Sequence, residues 1–101
     1  MAFSMKIHGK DTPREVIAVC DDYLVGKVLE DKNREIEFTV SSDFYGNEKF
    51  EWTDISQIVG NGRNLNLLGN EIVEQSIKAG VIDPENVIEI SGIKHAQLYF
   101  V

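Results

Sequence analysis

The chain has 101 residues, 43% of them hydrophobic, which sets the expectation of one domain around a single core. Seventeen acidic residues against ten Lys and Arg give a net charge of −7 and a pI near 4.7, excluding phosphate-driven, nonspecific binding to DNA or an anionic membrane. One cysteine, Cys20, allows no intramolecular disulfide, and neither a membrane-span pattern nor a charged-then-apolar leader is found, so the expected protein is soluble and cytoplasmic.

Met1 to Ser4 precede a second methionine and read as an N-terminal extension or remnant, leaving 5–101 as the domain. Met5 and Ile7 alternate with Lys6 and His8 as a half-buried strand, and Gly9 to Pro13 is rich in turn residues. Val16 to Cys20 is apolar on both parities, the pattern of a central strand covered on both faces. Lys27–Glu30 and Glu35–Val40 flank the polar Asp31-Lys32-Asn33-Arg34, which predicts a hairpin with Ile36, Phe38 and Val40 turned inward. Between Ser41 and Lys49 the pair Phe44-Tyr45 sits among turn residues, as in an ordered loop or a single helical turn. Thr53 or Asp54 is placed to cap a short helix through Val59, which Gly60-Asn61-Gly62 ends.

The densest pattern is Asn64 to Gln97. Leu65, Leu67 and Leu68 form a strand that stops at Gly69, and Asn70 stands where its side chain can cap a helix running to Ala79. Glu71 and Glu74 early and Lys78 late match the helix dipole, Glu74 and Lys78 form an i,i+4 pair, and Gly80 is placed for a left-handed stop. Asp83-Pro84-Glu85-Asn86 matches a type I turn before a buried strand, Val87 to Ile90. Strand, helix and strand form a βαβ unit if the strands run parallel. After Ser91-Gly92, Ala96, Leu98 and Phe100 alternate with His95, Gln97 and Tyr99 in a strand from Ile93 to Val101. The pattern as a whole predicts an α+β domain: a mixed, mainly antiparallel sheet of five to seven strands with one or two helices packed on one face.

From Met5 onward the chain resembles an archaeal family known as domain of unknown function 424. The resemblance is carried by Met5-Lys6-Ile7-His8, Val16 to Asp21 with Leu24 and Gly26-Lys27, Phe44-Tyr45-Gly46, Asn66-Leu67-Leu68-Gly69, Ala79 to Asp83, and Gly92 to Gln97. It covers nearly the whole chain and implies a setting in translation or ribosome-related work, without an established reaction. The departure falls between Lys49 and Asn64, where Phe50, Trp52 and a glycine-rich turn replace a longer Glu- and Leu-rich helix, leaving the length of the first helix open.

No residue set demands a particular reaction. His95 could act as a general acid or base if Asp21, Asp22 or Asp83 oriented it, but a strand histidine bonded to a neighbouring loop is the commoner case. Cys20 lies beside Asp21 and Asp22, whose charges disfavour a thiolate, so it reads as core. Gly69-Asn70 resembles an anion seat but lacks the glycine-rich phosphate motifs. Phe44, Tyr45, Phe50 and Trp52 near Lys49 could form a stacking platform, although such clusters more often supply packing area. His8 and His95 are the only imidazoles and no CxxC or HxxxH spacing occurs, so neither a metal site nor a cofactor is expected. The leading expectation is a non-catalytic binding module with an RNA or translation-related protein partner, contacting it through Tyr45, Trp52, Lys94, His95, Gln97 and Tyr99. A small hydrolase or transferase built on His95 and a nearby Asp is the alternative, and a structural subunit the third.

Overall fold

The structure, a computed structural model, describes residues 1–99; Phe100 and Val101, read above as the end of the last strand, lie outside the described residues. In chain order the strands are Phe3–His8 (β1), Val16–Asp21 (β2), Val28–Asp31 (β3), Ile36–Thr39 (β4), Lys49–Phe50 (β5), Asn64–Leu68 (β6), Val87–Ile90 (β7) and Ile93–Tyr99 (β8). The helices are Ser42–Tyr45 (α1), Trp52–Gly60 (α2) and Asn70–Lys78 (α3). Six strands form one sheet in the order β5-β1-β2-β6-β8-β7, while β3 and β4 pair as a separate hairpin. Among the described residues of the large sheet, β2 and β6 are the one parallel pair of neighbouring strands, and every other neighbouring pair is antiparallel. The fold is therefore the expected mixed, mainly antiparallel α+β domain.

Register assigns each side chain to one of two faces, because cross-strand partners share a face and successive residues alternate. Ile17 pairs with Leu65 and Val19 with Leu67; Leu65 and Leu67 pair in turn with Leu98 and Ala96. These residues, with Phe3, pack against Ile55 and Val59 of α2 and Ile72 and Val73 of α3. On the opposite face Ala18, Cys20 and Leu68 pack against Leu24, Leu29, Val40 and Tyr45, contributed by a 3₁₀ turn, the hairpin and α1. Val16 to Cys20 is the doubly covered central strand its composition required, and Cys20 is fully buried.

Several local expectations change. β1 starts at Phe3, which is buried in the core, and the buried Ser4 hydroxyl donates to Asp22 at 2.7 Å, so the segment 1–4 is partly built into the sheet. α2 starts at Trp52 after Glu51, with Asp54 accepting from the Glu51 N–H at 2.9 Å, so Asp54 acts one turn inside the helix rather than as its first cap. β7 is an edge strand with Ile88 44% exposed, not a buried one. β6 and β7 do run parallel, both being antiparallel to β8, but β8 lies between them, so the βαβ unit is split. Glu74 pairs with Lys94 at 3.1 Å instead of with Lys78. Gly80 takes the left-handed conformation, and the Val81 and Gly80 amides bond back to Ser76 and Ile77, closing α3 as the sequence suggested.

The start of α3 is the main departure. Asn70 does not cap it: its Oδ1 accepts from the Lys94 amide of β8 at 2.9 Å. The first-turn amides of Glu71 and Ile72 instead donate to the two carboxylate oxygens of Asp21, at 3.0 and 2.9 Å. The anion seat read at Gly69-Asn70 is thus filled from within, by the buried last residue of β2. Gly69 makes this possible: it has a φ of +133°, and a Cβ there would lie 2.3 Å from the Asp21 carboxyl carbon.

Asp21→Asn can satisfy one of the two amides but sets its own NH₂ against the other, so a loss of about 1–3 kcal/mol is expected by urea denaturation near neutral pH. Burial raises the Asp21 pKa above its ordinary 3.8, against the pull of the two amide bonds. The folded chain then holds this proton more tightly than the unfolded one, and the residue's contribution falls as pH rises from 3.8 through the raised value. The stability of the wild type minus that of Asp21→Asn should decline across that window.

Candidate functional site

The row His95, Gln97 and Tyr99 comes from one parity of β8, and register sets it beside Leu68, Asn66 and Asn64 of β6. This is the face that carries α1 and the hairpin. Tyr99 is 74% exposed and Gln97 is also exposed, while His95 is half-buried. Beneath Phe44 the surface dips into two adjoining depressions of about 310 Å³ each, which share Phe44 and Asn66. One reaches His95 and Tyr45, with Thr39 and Ser41 at its side; the other reaches Gln97 and Tyr99.

The polar groups here have defined roles. His95 Nδ1 lies 2.8 Å from the Leu67 carbonyl, an acceptor, so Nδ1 carries the proton and Nε2 of the neutral ring is left as an acceptor. Burial lowers the His95 pKa, opposed by that carbonyl bond, and holds the ring neutral at pH 7. The Tyr45 hydroxyl donates to Asn66 Oδ1 at 2.7 Å, which turns the Asn66 NH₂ into a donor for another partner. Burial also raises the Tyr45 pKa, keeping the phenol protonated. Phe44 is held from behind by His8, whose ring stacks on it at 4.8 Å and whose Nε2 donates to the Phe44 carbonyl at 2.7 Å. The Asn64 amide donates to the Glu15 carbonyl at 3.1 Å.

Of the residues picked out in the sequence, the structure gathers Tyr45, His95, Gln97 and Tyr99 and separates the others. Trp52 packs edge-on to Phe3 at 6.5 Å on the opposite, helix-covered face, where Phe50 pairs with Phe3. The four aromatics therefore divide into Phe44-Tyr45 on one side of the sheet and Phe50-Trp52 on the other, and form no single platform. Lys94 has the other parity from His95 and is tied to Glu74. None of the three aspartates meets His95: Asp21 caps α3, Asp22 accepts from Ser4 and pairs with Lys49 at 3.4 Å, and Asp83 accepts from the Glu85 amide. The Cys20 thiol is pushed up to about 12, by burial first and then by Asp21 and Asp22, and is not a nucleophile.

Asn66, Ser41 and Thr39 complete the site and were not picked as contact residues in the sequence, where Phe44 entered only as one of the four clustered aromatics. The alternation Asn64-Leu65-Asn66-Leu67 did carry the signal that one parity of β6 is polar, but not what it would face. A larger hollow of about 490 Å³ lies along β7, yet its two cations are engaged, Arg34 with Asp31 and the Glu89 carbonyl and Lys94 with Glu74. Among the described residues no three His, Cys, Asp or Glu side chains converge as metal ligands, and no helix is long and apolar enough to cross a membrane.

Residues 9–101 match the model of the family described as "Protein of unknown function (DUF424)", and the chain belongs to that family. The fold is also similar to the crystal structure of an uncharacterized conserved protein from Methanopyrus kandleri, at 25% identity and a TM-score of 0.78. That match covers 98% of this chain and 91% of the other. No curated protein matches the sequence.

By NMR the His95 imidazole should titrate with a midpoint below 6.5. Cys20 should resist iodoacetamide in the native protein at mildly alkaline pH and react once urea unfolds it; rapid native alkylation would contradict the buried assignment.

Proposed function

We propose that this DUF424 protein is a non-catalytic binding module of the archaeal cytoplasm, working in translation or ribosome-related processes. Its contact surface is the strip of Asn66, His95, Gln97 and Tyr99, with Tyr45 buried behind it and bonded to Asn66. The observation that carries the reading is the orientation of His95 by a backbone carbonyl, while Asp21, Asp22 and Asp83 are each committed elsewhere. An imidazole held in this way, beside two amides and an exposed tyrosine, suits recognition by hydrogen bonding and ring contact. General-base catalysis is served poorly, since among the described residues no carboxylate is bonded to the imidazole to stabilise the imidazolium that would form. The translation setting comes from the family resemblance. The partner is an RNA or a translation-related protein.

Affinity capture from a lysate of the source organism, with and without RNase, tests this. The intact protein should retain translation components, and a Gln97→Ala, Tyr99→Ala double variant should lose them while Trp52→Phe keeps them. Equal retention by the double variant would place the contact elsewhere, and no enrichment at all would remove the adaptor reading.

A further inference from the structure

We propose that the cavity between α1 and β8 receives the pairing edge of one unpaired RNA base, with His95 accepting from the base and Asn66 donating to it. The proposal rests on the binding-module reading and names the ligand of that same strip.

The cavity's polarity is set in advance. His95 gives its only N–H to Leu67, so towards a ligand it can only accept. Asn66 turns its oxygen to the Tyr45 hydroxyl, which leaves its NH₂ as the group directed to a ligand, a donor. The two residues stand diagonally on neighbouring antiparallel strands, a separation of roughly 7 Å or less between their Cβ atoms. A ligand that serves both must present a donor beside an acceptor on one planar edge. Every nucleobase does so on its Watson–Crick edge: N3–H beside a carbonyl in uracil, N1–H beside O6 in guanine, an amino group beside a ring nitrogen in cytosine and adenine. In a duplex that edge is already paired, so the site selects single strands.

The lining supports the same ligand. Among the described residues no Asp, Glu, Lys or Arg lines either depression, so the bound group is neutral and the phosphates stay outside. Phe44 beside the cavity and Tyr99 at the exposed end of the strip offer ring surfaces to a flat heterocycle. A volume of about 310 Å³ is at the lower bound of small-ligand sites, in keeping with a single base. With a net charge of −7 the protein gains nothing from the backbone, so the binding depends only weakly on salt, unlike phosphate-driven RNA binding.

The test is titration of the intact protein with a short fluorescent oligouridylate, with the same RNA carrying N3-methyluridine, and with its duplex. Oligouridylate should bind. N3-methylation, which deletes the donor, should weaken binding about tenfold or more, as expected for one lost hydrogen bond to a half-buried acceptor. The duplex should not bind, and the affinity for the single strand should change little with added salt. His95→Phe should reproduce the loss, as should Asn66→Asp, which keeps the acceptor for Tyr45 and removes the donor. Equal binding of methylated and unmethylated RNA, a steep salt dependence, or no binding of oligouridylate overturns the proposal, and the methylation arm needs no variant to fold. If the lysate capture retains a partner that resists RNase while oligouridylate does not bind, the base site falls and the binding module stands. If oligouridylate binds as described and the lysate yields nothing, the base site stands and the adaptor role falls.

Discussion

The buried carboxylate of Asp21 is the interaction on which the arrangement depends. It ends the central strand β2, and its two oxygens receive the amides that open α3, fifty residues further along the chain. A helix N-terminus buried without acceptors would leave its donors unsatisfied, so the position of α3 over the sheet and the side-chain-free Gly69 beside Asp21 are parts of one solution. The neighbouring Asn70 then ties the same junction to β8 through Lys94. Three central strands and one helix are thereby fixed to each other at a single point.

The two faces of the sheet differ as a consequence. Where α2 and α3 lie, the surface is closed by a continuous apolar layer that includes Trp52 at its edge. On the other side one helical turn and a two-stranded hairpin cover Ala18, Cys20 and Leu68 and leave Asn66, His95, Gln97 and Tyr99 partly or fully exposed. The residues there are amides, an imidazole and a tyrosine, and the roles of His95 and Asn66 are set by the Leu67 carbonyl and the Tyr45 hydroxyl.

Legibility in the sequence followed the range of the interaction. The hairpin could be read from Ile36, Phe38 and Val40, the double coverage of β2 from Val16 to Cys20, and α3 from its charges and its terminal glycine, because each depends on neighbours within one element. The β8 row was legible in the same way, as a parity. The cap of α3 was not, since Asn70 satisfies every local rule for a cap and Asp21 displaces it only after β2 and β6 have paired. The grouping of aromatics failed for a related reason. Phe44 and Trp52 are eight positions apart, yet the intervening β5 pairs Phe50 with Phe3 and sends Trp52 to the far face.

Hydroxyl-radical footprinting of the protein alone and with its captured partner tests the account most directly, because Tyr99 and Trp52 report the two faces within one experiment. The account expects protection at Tyr99, Phe44 and His95 on partner binding, with Trp52 and the surface of α3 unchanged. Protection of Trp52 with Tyr99 still open would contradict it.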